Sequence, residues 1–318
     1  MHRSMVAPLL VGVLVTLPGC GDKTPYAGPC VVEEDQGVDG TVDRRETYHY
    51  DGRGDLVLVE FDDDADDTVD RVWVYEYEAG VLRREVDGDP PDGANGTEYL
   101  YDEHGFLVQL GYDDDGDAVA DHGHRYVNDD AGRLLTHEYY EGFDEDPSWV
   151  DELTYDSDGY LVRLDHDIGA DGGVDDVTTH TWNADHTDER VETDEGSDGV
   201  LDAIDHHQYD ADGNELLLEM DWDGDEVWDR RDVHEYVQGR LVRTESDEGA
   251  DGVLEAIQIY QYDAAGRRIL AAYYDGNRVP LIRDLSRYDG RGNLITVERQ
   301  DGSGEVLSVT TYGYRCWR

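Results

Sequence analysis

Hydrophobic and polar residues alternate over short stretches throughout the chain, and tyrosine marks the alternation. In Ile257-Gln-Ile-Tyr-Gln-Tyr262, Gln258, Tyr260 and Tyr262 fall on one side, with Ile257 and Ile259 on the other. A period of two is the signature of a β-strand whose faces meet different surroundings. Asp263-Ala-Ala-Gly266 follows, pairing a turn-forming Asp with a Gly that accepts positive φ, which predicts a short hairpin loop. Ile269-Leu-Ala-Ala-Tyr-Tyr274 then reads as the returning strand, and the same reading fits Val72–Tyr77 with Leu82–Val86 and Glu98–Tyr101 with Phe106–Tyr112. Helical periodicity is absent, so the predicted fold class is all-β.

The unit recurs. Tyr-Asp-x-x-Gly, in its fullest form followed by x-Leu, stands at Tyr50, Tyr101, Tyr155, Tyr209, Tyr262 and Tyr288, with looser copies at Tyr77, Asn128, Trp182, Tyr236 and Tyr314. The steps are 24 to 27 residues, and a fixed period of this kind makes a repeat array. One hairpin per repeat predicts a long antiparallel meander of about twenty strands, and a twisted sheet that wide curls into a shell, trough or barrel. Tyr-x-Tyr pairs such as Tyr48/Tyr50, Tyr75/Tyr77, Tyr99/Tyr101, Tyr260/Tyr262 and Tyr312/Tyr314 are expected to form an aromatic ladder across neighbouring strands. Such cross-strand pairs contribute about 0.2–1 kcal/mol each. The ladder reads first as sheet packing and second as a platform on which sugars stack.

Composition sharpens this picture. Only 38% of the 318 residues are hydrophobic, and 22 Tyr stand against three Phe and three Met, which suits sheet faces better than a thick core. With 78 acidic and 25 basic residues the net charge is −53. That field repels nucleic-acid phosphates and anionic lipid, and it attracts cations or basic partners. Solubility in a saline habitat is the plainer explanation of the same charge.

Arg3, the apolar run Met5–Leu17 and then Pro18-Gly19-Cys20 have the shape of a signal peptide, the apolar run being too short to span a membrane. The Gly-Cys ending resembles the lipobox of bacterial lipoproteins. That resemblance implies cleavage before Cys20 and acylation of Cys20 (diacylglycerol, palmitate), a multi-chain anchor that holds stably; an ordinary secretory signal is the alternative. The expected organisation is a signal peptide over 1–19, a lipidated Cys and tether over 20–30, and a repeat domain over 31–318, in the bacterial envelope at the outer membrane or cell surface. Cys30 and Cys316 then flank the array in an oxidising compartment, and a disulfide between them would require the ends to approach within about 7 Å. Free thiols or a bond to another chain are the other options.

Tyr-Asp-x-x-Gly-x-Leu at this period resembles the YD repeat of rearrangement-hotspot (RHS) proteins, seen also in insecticidal toxin-complex subunits and teneurins. The resemblance covers roughly residues 31–316 and implies a spiralling β-sheet shell, which in those relatives encloses a C-terminal toxin. This chain is far shorter, lacks the proline-rich closing region and ends shortly after Tyr314.

Acidic loops separate the hairpins in two patterns. Asp35, Asp167, Asp194 and Asp247 open loops of the form Asp-x-Gly-x-Asp-Gly-x-x-Asp/Glu, read with the first Asp at position one. Asp62/Asp64/Asp66/Asp70, Asp113/Asp115/Asp117/Asp121 and Asp221/Asp223/Asp225/Asp229 instead follow Asp-x-Asp-x-Asp-x-x-x-Asp. Oxygen ligands at positions one, three, five and nine resemble the start of calcium loops, so these twelve residues are the candidate Ca2+ ligands. Asp and Gly also favour turns without any metal, and that reading stays open.

No Gly-x-Ser-x-Gly, His-Glu-x-x-His or phosphate-cradling Gly-Lys-Ser/Thr motif occurs, and His122/His124 and His206/His207 fall on strand positions. No enzymatic role is therefore expected. Two functions remain open: a surface scaffold that binds carbohydrate or protein, with membrane contact only through the anchor, or an RHS-type toxin-system component, shell-like or immunity-type.

Overall fold

The computed structural model describes residues 28–88, 95–117, 119–142 and 146–315. The signal segment, Cys20 and Cys316 lie outside these residues. The first strands are β1 (Val31–Gln36), β2 (Arg44–Tyr50), β3 (Leu56–Asp62), β4 (Arg71–Glu78), β5 (Val81–Gly88), β6 (Asn95–Tyr101) and β7 (Leu107–Asp113). Next come β8 (His122–Asn128), β9 (Leu134–Tyr140), β10 (Trp149–Tyr155), β11 (Leu161–Ile168), β12 (Asp176–Trp182), β13 (Asp188–Glu195) and β14 (Ala203–Tyr209). The last are β15 (Glu215–Asp221), β16 (Arg230–Val237), β17 (Arg240–Glu248), β18 (Ala256–Tyr262), β19 (Arg268–Asp275), β20 (Pro280–Tyr288), β21 (Leu294–Asp301) and β22 (Val306–Gly313). Among the described residues there is no helix.

Every strand pairs antiparallel with the next in sequence, and β22 pairs back onto β1. The sheet therefore closes into a 22-stranded barrel of hairpins, the last of the three expected forms. Closure leaves no edge strand to recruit another chain. At the seam, the register runs from Val31↔Gly313 to Gln36↔Ser308. The Cys30 N–H donates to the Gly313 carbonyl at 2.6 Å, and the Cys30 carbonyl accepts from Tyr48 N–H at 2.8 Å. Cys30 is buried and disulfide-bonded.

The tyrosines hold the repeats together by a contact other than a simple ring ladder. Tyr50, Tyr155, Tyr262, Tyr288 and Tyr314 each donate the side-chain hydroxyl to a backbone carbonyl 20 or 21 residues earlier. Trp182 and Asn128 substitute their N–H groups for the hydroxyl, to Leu161 and Leu107. In most copies the acceptor is the Leu that closes the preceding Tyr-Asp-x-x-Gly-x-Leu motif, so each anchor grips the repeat before it. Arginines of the preceding hairpin cover some rings: Arg83 on Tyr101, Arg133 on Tyr155 and Arg267 on Tyr288. Direct contact between successive anchors occurs at Trp182 and Tyr209, with ring centroids 6.1 Å apart. The expected faces were right, but the ladder is knitted mainly through the backbone of the strand in between.

The rest of the motif is turn chemistry. The Asp51 carboxylate accepts from the N–H groups of Arg53 and Asp55 at 2.8 and 2.9 Å. Gly54, at φ +84°, donates its N–H to the Asp51 carbonyl at 3.0 Å. Asp102, Asp129, Asp156, Asp263 and Asp289 repeat this arrangement. Ala79-Gly80 and Gln238-Gly239 are tighter two-residue turns with positive φ at both positions, as the primed hairpin turns require.

Register separates two faces. One carries the tyrosines together with carboxylates and imidazoles, as in Tyr75↔Glu85↔Thr97↔Tyr112. The other carries much of the basic charge in ion pairs such as Arg45–Glu33 at 3.1 Å and Arg231–Glu219 at 3.2 Å. Few apolar side chains are fully buried; Val59, Phe61, Tyr140, Ile204 and Ile257 are among them. Backbone contact is confined to sheet neighbours. The architecture thus rests on nearest-neighbour terms, as in other repeat arrays.

The meander also sorts the connections. Turns from even to odd strands, bearing the Tyr-Asp motif, lie at one end, and loops from odd to even strands, rich in acid, lie at the other. Both β1 and β22 have their outer ends, Val31 and Gly313, on the motif end.

Candidate functional site

The acidic loops are built around their own backbone. Asp62 accepts from the N–H groups of Asp66 and Asp67 at 2.9 and 3.1 Å, Asp66 from Thr68 at 2.8 Å, and Asp70 from Asp63 at 2.8 Å. Positions one, five and nine do the same work in the loops opened by Asp35, Asp167, Asp194 and Asp247. Asp113/Asp117/Asp121 and Asp221/Asp225/Asp229 follow suit. Each carboxylate satisfies an N–H that the open loop would otherwise leave unpaired. Burial pushes Asp221 up, but the N–H groups of Asp223, Glu226, Gly224 and Asp225 outweigh it and hold the carboxyl below the usual range.

Three of the spaced acids in this pattern are therefore accounted for by loop structure. Position three only shares an N–H that position one also meets: Asp66 N–H reaches Asp64 at 3.3 Å besides Asp62 at 2.9 Å, and Asp117 N–H reaches Asp115 at 3.1 Å besides Asp113 at 3.2 Å. Asp64, Asp115 and Asp223 complete the groups Asp62/Asp64/Asp66, Asp113/Asp115/Asp121 and Asp221/Asp223/Asp225, whose ligand oxygens lie within 4.8 Å of one another. Asp223 is pushed up, first by the charge of Asp225, then by burial and by Asp229 and Asp221. A divalent cation would relieve that repulsion. Asp70, Asp117 and Asp229 fall outside these triads and serve the loop backbone instead.

The tyrosine face from β7 to β16 carries a feature that the period of the repeat did not reveal. Histidines on successive strands meet carboxylates or one another. His124 and His137 face each other at 3.0 Å, His137 lies 3.4 Å from Asp151, and Asp151 holds His166 at 2.6 Å. Further along, His180 meets Glu189 at 2.7 Å, while His207 and His234 converge on Glu215 at 2.7 and 3.5 Å. Aromatic rings enclose the first group: Tyr126 stacks on His137 at 4.9 Å and Trp149 meets it edge-on at 4.8 Å. Burial, with the neighbouring His137 and His122, lowers His124 to about 4.

Beside this group, Tyr112 stacks on His122 at 4.9 Å and Tyr139 on Trp149 at 5.8 Å. Asp114, Asp115, Asp121, His122, Tyr139 and Glu141 line the open depression above them, towards the acidic end. The arrangement offers flat rings next to hydrogen-bond-accepting carboxylates.

No protein-family model matches the chain, and no curated protein matches it. Among solved structures it is similar to TcdB2-TccC3 at 16% identity and a TM-score of 0.34, over 85% of this chain and 18% of that chain. It is similar also to a porin-like protein from Bacteroides uniformis ATCC 8492 at 12% identity and a TM-score of 0.31, over 91% of this chain and 97% of that one. A porin-like protein from Bacteroides vulgatus ATCC 8482 aligns at 11% identity and a TM-score of 0.27, over 90% and 98% of the two chains. The chain spans about a fifth of the TcdB2-TccC3 chain that it matches, at 18%. At these values the likeness is too loose to bear on function.

Proposed function

We propose that the mature chain is a non-enzymatic binding scaffold of the bacterial envelope, anchored through acylated Cys20, whose tyrosine face takes carbohydrate. The supporting observation is the shelf of Tyr112, His122, Tyr139 and Trp149 beside Asp114, Asp121 and Glu141. Sugar C–H faces stack on such rings, and hydroxyl or amine groups donate to the carboxylates. The acidic surroundings disfavour uronic and sialic acids and favour neutral or amine-bearing sugars. Because both ends of the sheet lie at the motif end, the tether leaves from there, and the acidic rim points away from the membrane.

Glycan-array binding by the soluble chain from residue 21 onward tests the reading. We expect neutral or amino sugars to be retained by the parent and lost in Tyr139→Ala, while Glu141→Gln weakens amino sugars selectively. Parent-like binding by Tyr139→Ala, or capture of proteins but no glycans, overturns it.

A further inference from the structure

Among the longer turns at the motif end, leaving aside the two-residue turns at Ala79-Gly80 and Gln238-Gly239, one departs from its siblings. The turns after Tyr50, Tyr101, Asn128, Tyr155, Tyr209, Tyr262 and Tyr288 place Gly54, Gly105, Gly132, Gly159, Gly213, Gly266 and Gly292 at a left-handed position. After Trp182 that position holds His186, at φ +52°, with its N–H on the Asn183 carbonyl at 3.1 Å as a glycine's would be. The imidazole lies flat on Tyr160 of the preceding turn, with centroids 3.8 Å apart and planes 5° from parallel. Trp182 packs 5.0 Å from the same tyrosine.

The preceding turn departs in a matching way. Asp156 uses Oδ1 for the N–H groups of Asp158 and Tyr160, as its siblings do. In four siblings the other oxygen, Oδ2, is occupied by the side chain that follows the turn glycine: Arg133 on Asp129, Asn214 on Asp210, Arg267 on Asp263 and Asn293 on Asp289. Here that residue is Tyr160, whose ring stacks on His186. Asp156 Oδ2 instead faces His186 Nε2 at 3.7 Å. Ligand atoms of Asp156, Asp158 and His186 all lie within 4.8 Å of one another.

The geometry points to a binding site for a divalent transition-metal ion of the zinc class at Asp156, Asp158 and His186. Nitrogen and carboxylate ligands together suit such ions, whereas calcium is held by oxygen alone. Ligands about 2.0–2.1 Å from the ion sit roughly 3–3.4 Å apart, so the three groups must draw in slightly. Asp158 is exposed on its turn and free to swing. Stacking on Tyr160 fixes the imidazole plane, which is the usual task of a supporting residue around a metal ligand. Three protein ligands leave the remaining positions to water. This site is at the opposite end of the barrel from the acidic loops and does not depend on the carbohydrate reading.

The test is titration of the soluble chain with zinc, and with cobalt(II) for its visible absorption, in excess magnesium and calcium so that the acidic loops are satisfied. His186→Gly restores the residue that the sibling turns use, so the variant should fold at least as well as the parent. The expected result is one zinc equivalent per chain, a cobalt(II) band with nitrogen ligation, and affinity reduced at least about tenfold in His186→Gly and in Asp158→Asn. Undiminished binding by His186→Gly, or no zinc bound by the parent under these conditions, overturns the assignment.

Discussion

The hydroxyl of Tyr155 donates to the backbone carbonyl of Leu134, 21 residues earlier, at 2.8 Å. The same reach recurs from Tyr262 to Leu241 at 2.9 Å and from Tyr314 to Leu294 at 3.0 Å. Replacing Tyr155 by Phe keeps the ring and leaves the carbonyl without this donor, which should cost about 1 kcal/mol. Tyr155→Phe combined with Tyr262→Phe should cost about the sum, since the sites share no partner. Urea unfolding measures both, and an unaltered midpoint in the double variant would show that the bonds contribute nothing net.

Neighbouring loops at the acidic end approach closely. A Cβ on Gly276 would fall 1.4 Å from the Leu254 carbonyl oxygen, whereas one on Gly290, in a motif turn, meets nothing within 4 Å. Gly276→Ala should therefore destabilise the chain by about 1–3 kcal/mol through forced backbone shifts, and Gly290→Ala should stay near the parent. Equal thermal midpoints for the two variants would contradict the loop packing.

Acid should act in two windows. His124 is lowered from 6.5 to about 4, by burial first and then by His137 and His122. Between those values the unfolded chain binds a proton that the folded chain refuses, so this residue's contribution to stability falls as pH drops from 6.5 to 4. Glu215 is raised by burial, but hydrogen bonds from His207 and His234 outweigh that and bring it from 4.5 to about 2. Its contribution is present above 4.5 and is lost as pH falls towards 2. Denaturation midpoints at pH 7, 5 and 3 should show His124→Phe losing less than the parent between pH 7 and 5. Parallel curves for variant and parent over that span would refute the assignment.

A cation response should come from position three of the loops. Asp223 has neighbours that repel it, and it shares the Asp225 N–H with Asp221 rather than holding a loop N–H alone, as positions one, five and nine do. The melting midpoint should rise in calcium relative to chelator at equal ionic strength. Asp223→Asn, combined with Asp64→Asn and Asp115→Asn, should abolish the rise without lowering the midpoint in chelator. A parent midpoint indifferent to calcium sinks the idea.

Much of the fold was legible because it is local. The alternation in Ile257–Tyr262 marks a strand, and Asp263 to Gly266 marks its turn; both fall where expected, as β18 and the turn that follows it. Closure was foreshadowed by the twist expected of so wide a sheet and by the positions of Cys30 and Cys316, but not fixed by either, since pairing of β1 with β22 joins strands at opposite ends of the repeat array. The site was less legible. Asp62, Asp66 and Asp70 carry calcium-like spacing because a nine-residue loop needs carboxylates at those same places for its own N–H groups. The tyrosine-to-carbonyl bonds were invisible because the partner is backbone, which leaves no mark on sequence beyond the period itself. His186 did carry a signal, as the one histidine at a turn position that its siblings fill with glycine, but it emerges only once the turns are aligned on their φ angles.

Because each strand touches only the two beside it, nothing in the wall measures the circumference. A hairpin could be gained or lost between any two others, and the seam at Val31↔Gly313 would close with the same partners. The width of the opening is then a matter of copy number, adjustable in steps of one duplicated segment, while the chemistry at each rim changes one turn at a time.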